Sequence, residues 1–381
     1  MEYNNDRIAD YSGEETFSRG RIDIPFLLLT LLLLTIGVIM VLSASFPRAY
    51  YTAEIKTPTY YFTRQLIFAL GGVGVMLIMS RFPMSLYRRF SFVILAASVI
   101  LLMAVLVIGV SGGGARRWIN LGFTTFQPSE IAKIGVILAF STMICRLKGK
   151  MKTFRYGILP FAVILVVVVG LLVAEPHLSA SVITILIGAA LMFVGGARLI
   201  WFIGGAGGIV VIGAIVVKFF AYASSRITTW LDPFADMSGD GYQIVQSLYS
   251  IGSGGLMGLG LGQSRQKYLY LPEEHNDFIF SVVCEELGFV GALLILILFA
   301  LLICRGYWLA MHCTDRYSFL VCTGISTLLA IQVIFNIAVV TNLIPCTGIS
   351  LPFFSYGGTA LLLQMAEMGI ILSASRSIPT A

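Results

Sequence analysis

Apolar runs long enough to cross a bilayer recur along the whole chain, separated by short polar segments. Ten of them are predicted as membrane helices, at 24–45, 63–80, 90–110, 129–146, 157–174, 178–195, 200–219, 277–303, 318–340 and 359–375. The hydrophobic positions are not reserved for one soluble core. The pattern therefore predicts an all-α polytopic membrane protein, with 24–375 as one domain between tails at 1–23 and 376–381. The first run is longer than the about 7–15 apolar residues of a signal peptide, and it is expected to remain as a span. The longest segment between runs is 220–276. In it, Ile244, Val245, Leu248 and Ile251 recur at helical spacing, which predicts a short amphipathic helix at the interface. The following GSGGLMGLGLG lacks the preceding strand and the Gly-Lys-Ser/Thr of a nucleotide-binding loop. It is expected to form a tight turn against the membrane.

Composition agrees with this pattern. Hydrophobic residues make up 58% and charged residues 12%, where soluble domains carry about 25% charged residues. The net charge of +6 is mainly a topology signal and does not require nucleic acid. Arg7, Arg19, Arg21, Arg81, Arg88, Arg89, Arg146, Lys148, Lys150, Lys152 and Arg155 fall in the segments that share a side with the N-terminus. That bias predicts both termini in the cytoplasm, facing anionic membrane lipid, and 220–276 as a large extracellular loop between helices 7 and 8. The six cysteines form no CxxC pair and suggest neither a zinc set nor a disulfide framework.

The chemistry is suggested by charges that lipid should reject. Pro128 suits a first helical turn, which places Glu130 at its third position and Lys133 one turn deeper on the same face. Such a pair either caps the helix or lines a polar cavity. Arg116 and Arg117 beside Trp118 either snorkel at the interface or offer guanidinium forks to phosphate oxygens. The stretch LPEEHNDFIFSVVCEELG, 271–288, puts Glu273, Glu274, His275 and Asp277 at the mouth of a membrane helix. Asp277 either caps that helix or faces a cavity, with Ser281, Cys284 and Gly288 on its face to line it. Glu285 and Glu286 lie roughly 12–14 Å deeper and point in directions about 100° apart on the helix. They are expected to be buried structural groups without a shared partner, held in neutral form, as is Glu367. An outward-facing polar cavity of this kind suits a substrate that combines phosphate with hydroxyls.

Five motifs, in order, resemble one family. They are GARRWINLG with FQPSEIAK at 115–133, WLDPF at 230–234, GYQIVQSLYSIGSGGLMGLGLG at 241–262, LPEEHNDFIFSVVCEELGFVG at 271–291 and LPFFSYGGTALL at 351–362. The chain resembles the SEDS family (shape, elongation, division, sporulation), the FtsW/RodA polymerases of peptidoglycan, over roughly residues 22–376 and leans to the division and sporulation branch. The resemblance implies polymerisation of lipid II at the outer leaflet with release of undecaprenyl diphosphate. It makes Asp277 the general base and Glu130 and Lys133 the polar pair of the cavity. Lys133, Arg116, Arg117, Arg265 and Lys267 become candidates to meet the leaving diphosphate, and Ser355 and Tyr356 are candidate cavity residues. It further implies a class B penicillin-binding protein as partner. Glu273, Glu274 and His275 would shape the loop or a cation site. His-x-Asp is too weak a pattern to assign a metal, so Mg or Mn remains an open expectation without named ligands. His177, in the turn EPHLSAS, receives no role. A lipid II flippase or a non-catalytic division scaffold would share the hydropathy pattern and is separated from the polymerase by the need for Asp277.

Overall fold

In a computed structural model, the described residues are 20–51, 57–112, 115–122, 124–205, 207, 227–239 and 241–378. They are mostly helical. The long helices are α1 (Ile24–Tyr51), α2 (Tyr60–Met79), α3 (Met84–Ile108), α4 (Pro128–Leu147), α5 (Leu159–Ala174), α6 (Leu178–Val194), α7 (Tyr242–Ser253), α8 (Ile279–His312), α9 (Arg316–Val340) and α10 (Gly358–Ser375). Seven helical segments among the described residues are long and apolar enough to cross a membrane. Nine of the ten predicted spans coincide with a helix among the described residues. The tenth, 200–219, lies mostly outside them, as do most of the tail 1–23, residues 220–226 of the large loop and the end of the tail 376–381.

α4 is buried along most of its length. The interior is therefore built around a helix that carries two charges near its start, while the outer helices α3 and α5 expose apolar faces. That inversion relative to a soluble protein is what a lipid solvent demands. Asp23 N–H donates to Ser375 Oγ at 3.1 Å, so the start of α1 and the end of α10 meet at one end of the bundle.

The all-α expectation needs one amendment. Between α3 and α4 lies a small antiparallel sheet of β1 (Val110–Gly112), β2 (Ala115–Asn120) and β3 (Thr125–Phe126), in the order β1-β2-β3. Trp118 pairs with Val110, and Ile119 with Phe126. The run is too short for the periodicity of a strand to stand out beside the spans. Ser111 pairs with Arg116, so the register shifts between Val110 and Ser111 and Arg117 is the extra residue of a bulge in β2.

The described part of the large loop holds α7 and a run of turns. α7 buries Ile244, Val245, Ser247 and Ser250, and it packs against α8, where Ser250 Oγ donates to Ser281 O at 3.0 Å. Its apolar stripe thus packs against protein. α8 is not continuous: Gly288 sits at φ 68°, ψ −174°, which breaks the helix. The glycine turn fills the break. Leu259 N–H donates to Glu285 O at 2.9 Å and Gly260 N–H to Glu286 O at 3.0 Å. In return, Phe289 N–H reaches Gly255 O at 2.9 Å and Val290 N–H reaches Leu256 O at 3.1 Å. Backbone groups freed at membrane depth are thus paired, as they must be. A Cβ on Gly288 would lie 2.2 Å from Gly258 N, and its positive φ also disfavours any side chain.

Gly288→Ala should accordingly lower the thermal stability of the detergent-solubilised protein by roughly 2–4 kcal/mol. Gly170→Ala, in α5 with nothing within 4 Å, should leave stability unchanged or raise it by up to about 1 kcal/mol. Equal melting temperatures for the two variants would contradict the fit of the turn into the break.

Candidate active site

α8 begins at Ile279, and its cap residue is Phe278, with no side-chain capping bond. Asp277 therefore does not cap the helix. The chain turns before the helix axis is reached, which leaves the carboxylate beside the 347–349 segment. Asn336, a buried residue of α9, donates from Nδ2 to Asp277 O at 2.8 Å and to Ile349 O at 2.6 Å. Gly348 completes the close approach: its φ is +60°, and a Cβ there would lie 3.0 Å from Asp277 Oδ2. The carboxylate keeps part of its surface open. Among the described residues, no donor hydrogen-bonds to it. Burial pushes the Asp277 carboxyl up to about 6, the charge of Glu273 adds to this, and Arg117 and His275 pull against it.

The neighbouring acids have different work. Glu274 is buried and accepts from Arg48 Nε at 2.7 Å and Nη2 at 2.8 Å, with His275 Nδ1 at 3.5 Å. Burial acts to raise the Glu274 carboxyl, but His275 and Arg48 outweigh it and hold it below its ordinary value. His275 lies against Tyr61, 4.7 Å between ring centres, and Tyr61 meets Tyr356 edge-on at 5.0 Å. Glu274 and His275 thus fix the loop to α1 and α2. Among the described residues, no three of His, Cys, Asp and Glu converge as a metal cluster, and both Glu274 oxygens are taken by Arg48.

Glu130 lies in the first turn of α4, as Pro128 suggested, and pairs with Lys133 at 2.8 Å. Lys133 is 2% exposed. Arg117 donates from Nη2 to Pro176 O, which ties β2 to the turn between α5 and α6. Its charge acts on Asp277, Glu175 and His177, and the charge of Lys133 also acts on His177. The site cations and Asp277 therefore share one electrostatic neighbourhood. Arg116 and Arg265 are exposed.

Several expectations need correction. Lys267 does not face an open site: it is 3% exposed, 2.7 Å from Glu286 Oε1 and 3.1 Å from Ser43 Oγ. Nor do Glu285 and Glu286 lack a shared partner. Glu285 accepts from Ser264 Oγ (2.5 Å), Arg265 N–H (2.9 Å) and Ser250 Oγ (3.1 Å), while Glu286 takes Lys267. Both grip the turn 264–267, because that turn wraps round the helix and meets it on two sides. Ser355 Oγ is engaged by the backbone, donating to Asn276 O at 2.8 Å and accepting from Leu351 N–H at 2.7 Å. It positions the segment before Asp277. Tyr356 joins the Tyr61 and His275 rings. Ser281 and Cys284 are buried against neighbours, and Gly288 meets the glycine turn.

Sequence reasoning missed Asn336, Gly348 and Arg48, and it gave the turn 175–177 no role. Asn336 was visible as an uncommon amide within an apolar span. Glu175 is 1% exposed, and among the described residues neither carboxylate oxygen has a hydrogen-bond partner. Burial pushes it up to about 7, with Arg117 opposing. Burial, Arg117 and Lys133 push His177 down to about 3, so its ring is neutral.

Fold and site together define a multi-pass membrane protein with a partly open carboxylate at a helix mouth beside cations. Residues 24–379 match the cell cycle protein model that covers FtsW, RodA and SpoVE, and the chain belongs to that family. It is 40% identical to stage V sporulation protein E of Bacillus subtilis (strain 168), over 93% of this chain and 97% of that one. It is 38% identical to the probable peptidoglycan glycosyltransferase FtsW of Trichlorobacter lovleyi, over 96% of each. Among solved structures it resembles a chain of a peptidoglycan synthase complex that coordinates polymerization and crosslinking (TM-score 0.77, 28% identity, 93% and 98% covered). The rod shape determining protein RodA of Thermus thermophilus is also similar (TM-score 0.69, 26% identity, 94% and 98% covered).

Lys267→Ala should destabilise the protein by about 3–5 kcal/mol, since it strands Glu286 in a buried site. Lys267→Met combined with Glu286→Met should recover most of that loss. A double-mutant cycle on thermal unfolding checks this, and additive effects would show that the pair does not interact.

Proposed function

We propose that the chain polymerises lipid II into glycan strands, with Asp277 as general base; it is a peptidoglycan glycosyltransferase of the division and sporulation branch. The observation that carries the role of Asp277 is its carboxylate. It is anchored through its backbone by Asn336, partly open, and free of hydrogen-bond donors among the described residues. A carboxylate so placed can take the proton of the acceptor sugar 4-hydroxyl as that oxygen attacks the anomeric carbon of the donor. The carbon–oxygen bond to undecaprenyl diphosphate breaks as the glycosidic bond forms, with inversion. General base help of this kind is worth about 10²–10⁴-fold. Arg117 and the Lys133–Glu130 pair are suited to the negative charge that develops on the diphosphate. Arg116 and Arg265 are exposed enough to guide it in.

The proposed topology has ten spans and both termini in the cytoplasm. The loop 220–276, which contains α7, lies between the seventh and eighth spans on the outside, so the site opens at the outer leaflet. The basic residues gathered at the terminus end support this sidedness. A class B penicillin-binding protein is the proposed partner, because a chain similar in fold works within a peptidoglycan synthase complex.

Labelled lipid II should be converted to glycan by the wild-type protein with its penicillin-binding partner, the transpeptidase blocked. Asp277→Asn should reduce this by at least about 10²-fold without loss of folding or partner binding. Equal glycan from both would return Asp277 to a structural role and favour a transporter or scaffold. The base works ionised, so the wild-type rate should be flat above the Asp277 value of about 6 and fall as pH drops through it. A rate that rises on acidification to pH 5 would exclude Asp277 as the base.

A further inference from the structure

The end of the bundle away from Asp277 carries a cleft that the polymerase reaction does not use. Its volume is about 290 Å³, and Arg88, Arg89, Arg146, Asp315 and Tyr317 are among its lining residues. Arg88 and Arg89 come from the first turns of α3, Arg146 from the last turn of α4, and Asp315 and Tyr317 from the start of α9. The three arginines are exposed. Among the described residues, none of the three forms an ion pair. Asp315 offsets only one of the three charges, and its carboxylate is held in place by accepting from Ser318 N–H at 2.8 Å to cap α9. Like charges converging from two helices repel one another and leave a strong field for an anion.

The surroundings specify what kind of anion. The Arg146 guanidinium lies 5.4 Å from the Phe92 ring centre and that of Arg88 lies 6.0 Å from Tyr317. Along α3 and just before it, Phe82, Phe90 and Phe92 are exposed, at 39%, 45% and 37%. A ligand seated here meets guanidinium forks on one side and lipid-facing aromatic rings beside them. A phosphate with acyl chains satisfies both, and Arg forks suit phosphate oxygens. Basic pockets between membrane helices hold acidic lipid headgroups by the same physics. Along α4 the cleft is roughly 24 Å from Glu130, which puts it in the opposite leaflet from the candidate active site.

We propose that this cleft binds the phosphate of an anionic phospholipid in the leaflet away from Asp277. The shared chemistry is phosphate, and the experiment separates a lipid headgroup from free phosphate. The full-length protein in detergent is titrated with phosphatidylglycerol, phosphatidylcholine or inorganic phosphate, and bound adducts are counted by native mass spectrometry. Binding in detergent does not depend on which side of the membrane the cleft faces. The expected result is retention of phosphatidylglycerol over phosphatidylcholine, with no displacement by inorganic phosphate. Affinity should weaken by about fivefold for each arginine removed in Arg88→Gln, Arg89→Gln and Arg146→Gln. The triple Lys148→Gln, Lys150→Gln, Lys152→Gln removes as much charge from the same end and should keep the adduct. Thermal unfolding of each variant reports folding, and Arg146→Lys, which keeps the charge but loses the fork, should weaken binding less than Arg146→Gln. Equal phosphatidylglycerol binding by wild type and the arginine triple, equal loss in the lysine triple, or binding of inorganic phosphate alone would each overturn the proposal.

Discussion

A helix broken in a hydrocarbon environment exposes amide and carbonyl groups that no water reaches. In this protein the break at Gly288 is made good by a turn from the preceding loop, which lends its own backbone to both halves of α8. The remainder of the site follows from that exchange. Once 255–260 is seated, Glu285 and Glu286 are in place to hold 264–267. The chain must then return across 271–276, where Glu274 meets Arg48 and His275 meets Tyr61. Asp277 arrives at its position as the last member of a braced arc and not as an isolated residue at a helix start.

Bracing with charge is costly in a low-dielectric interior, and the protein confines it to places where the partner is nearly complete. Arg48 engages both oxygens of Glu274, and Lys267 divides its donors between Glu286 and Ser43. These pairs contribute specificity of position more than net stability. The contrast with Asp277 and Glu175 is informative. Both are carboxyls raised by burial, and both lack a hydrogen-bond donor among the described residues. They are the acids on this face that the fold has not already committed to structure.

The spans were legible because hydropathy reports lipid directly, and the Glu130–Lys133 pair was legible because Pro128 sets the start of its helix and i,i+3 spacing does the rest. The turn 252–262 was recognisable as a turn from its glycines alone. Its partner was not: pairing between backbones carries no side-chain pattern, so the break at Gly288 looked like one small residue on a helix face. The same blindness misassigned Lys267, whose partner lies 19 residues along the chain in a helix not known to be interrupted. Asp277 looked like a cap because local rules are read along the chain, whereas Asn336 and Gly348 reach it from far away. The strand bearing Arg116 and Arg117 was hidden by its shortness.

The exchange at Gly288 also orders events during synthesis. The turn 255–260 precedes α8 in the chain and leaves the ribosome first. The four backbone groups that it shares with α8 have no partners until the segment around 285–290 has entered the membrane. The nascent turn must therefore wait in water or within the translocation machinery, and this corner of the protein closes only after α8 is inserted. Assembly of the face that bears Asp277 is thus a late step, tied to the arrival of a later helix and not to the loop's own emergence.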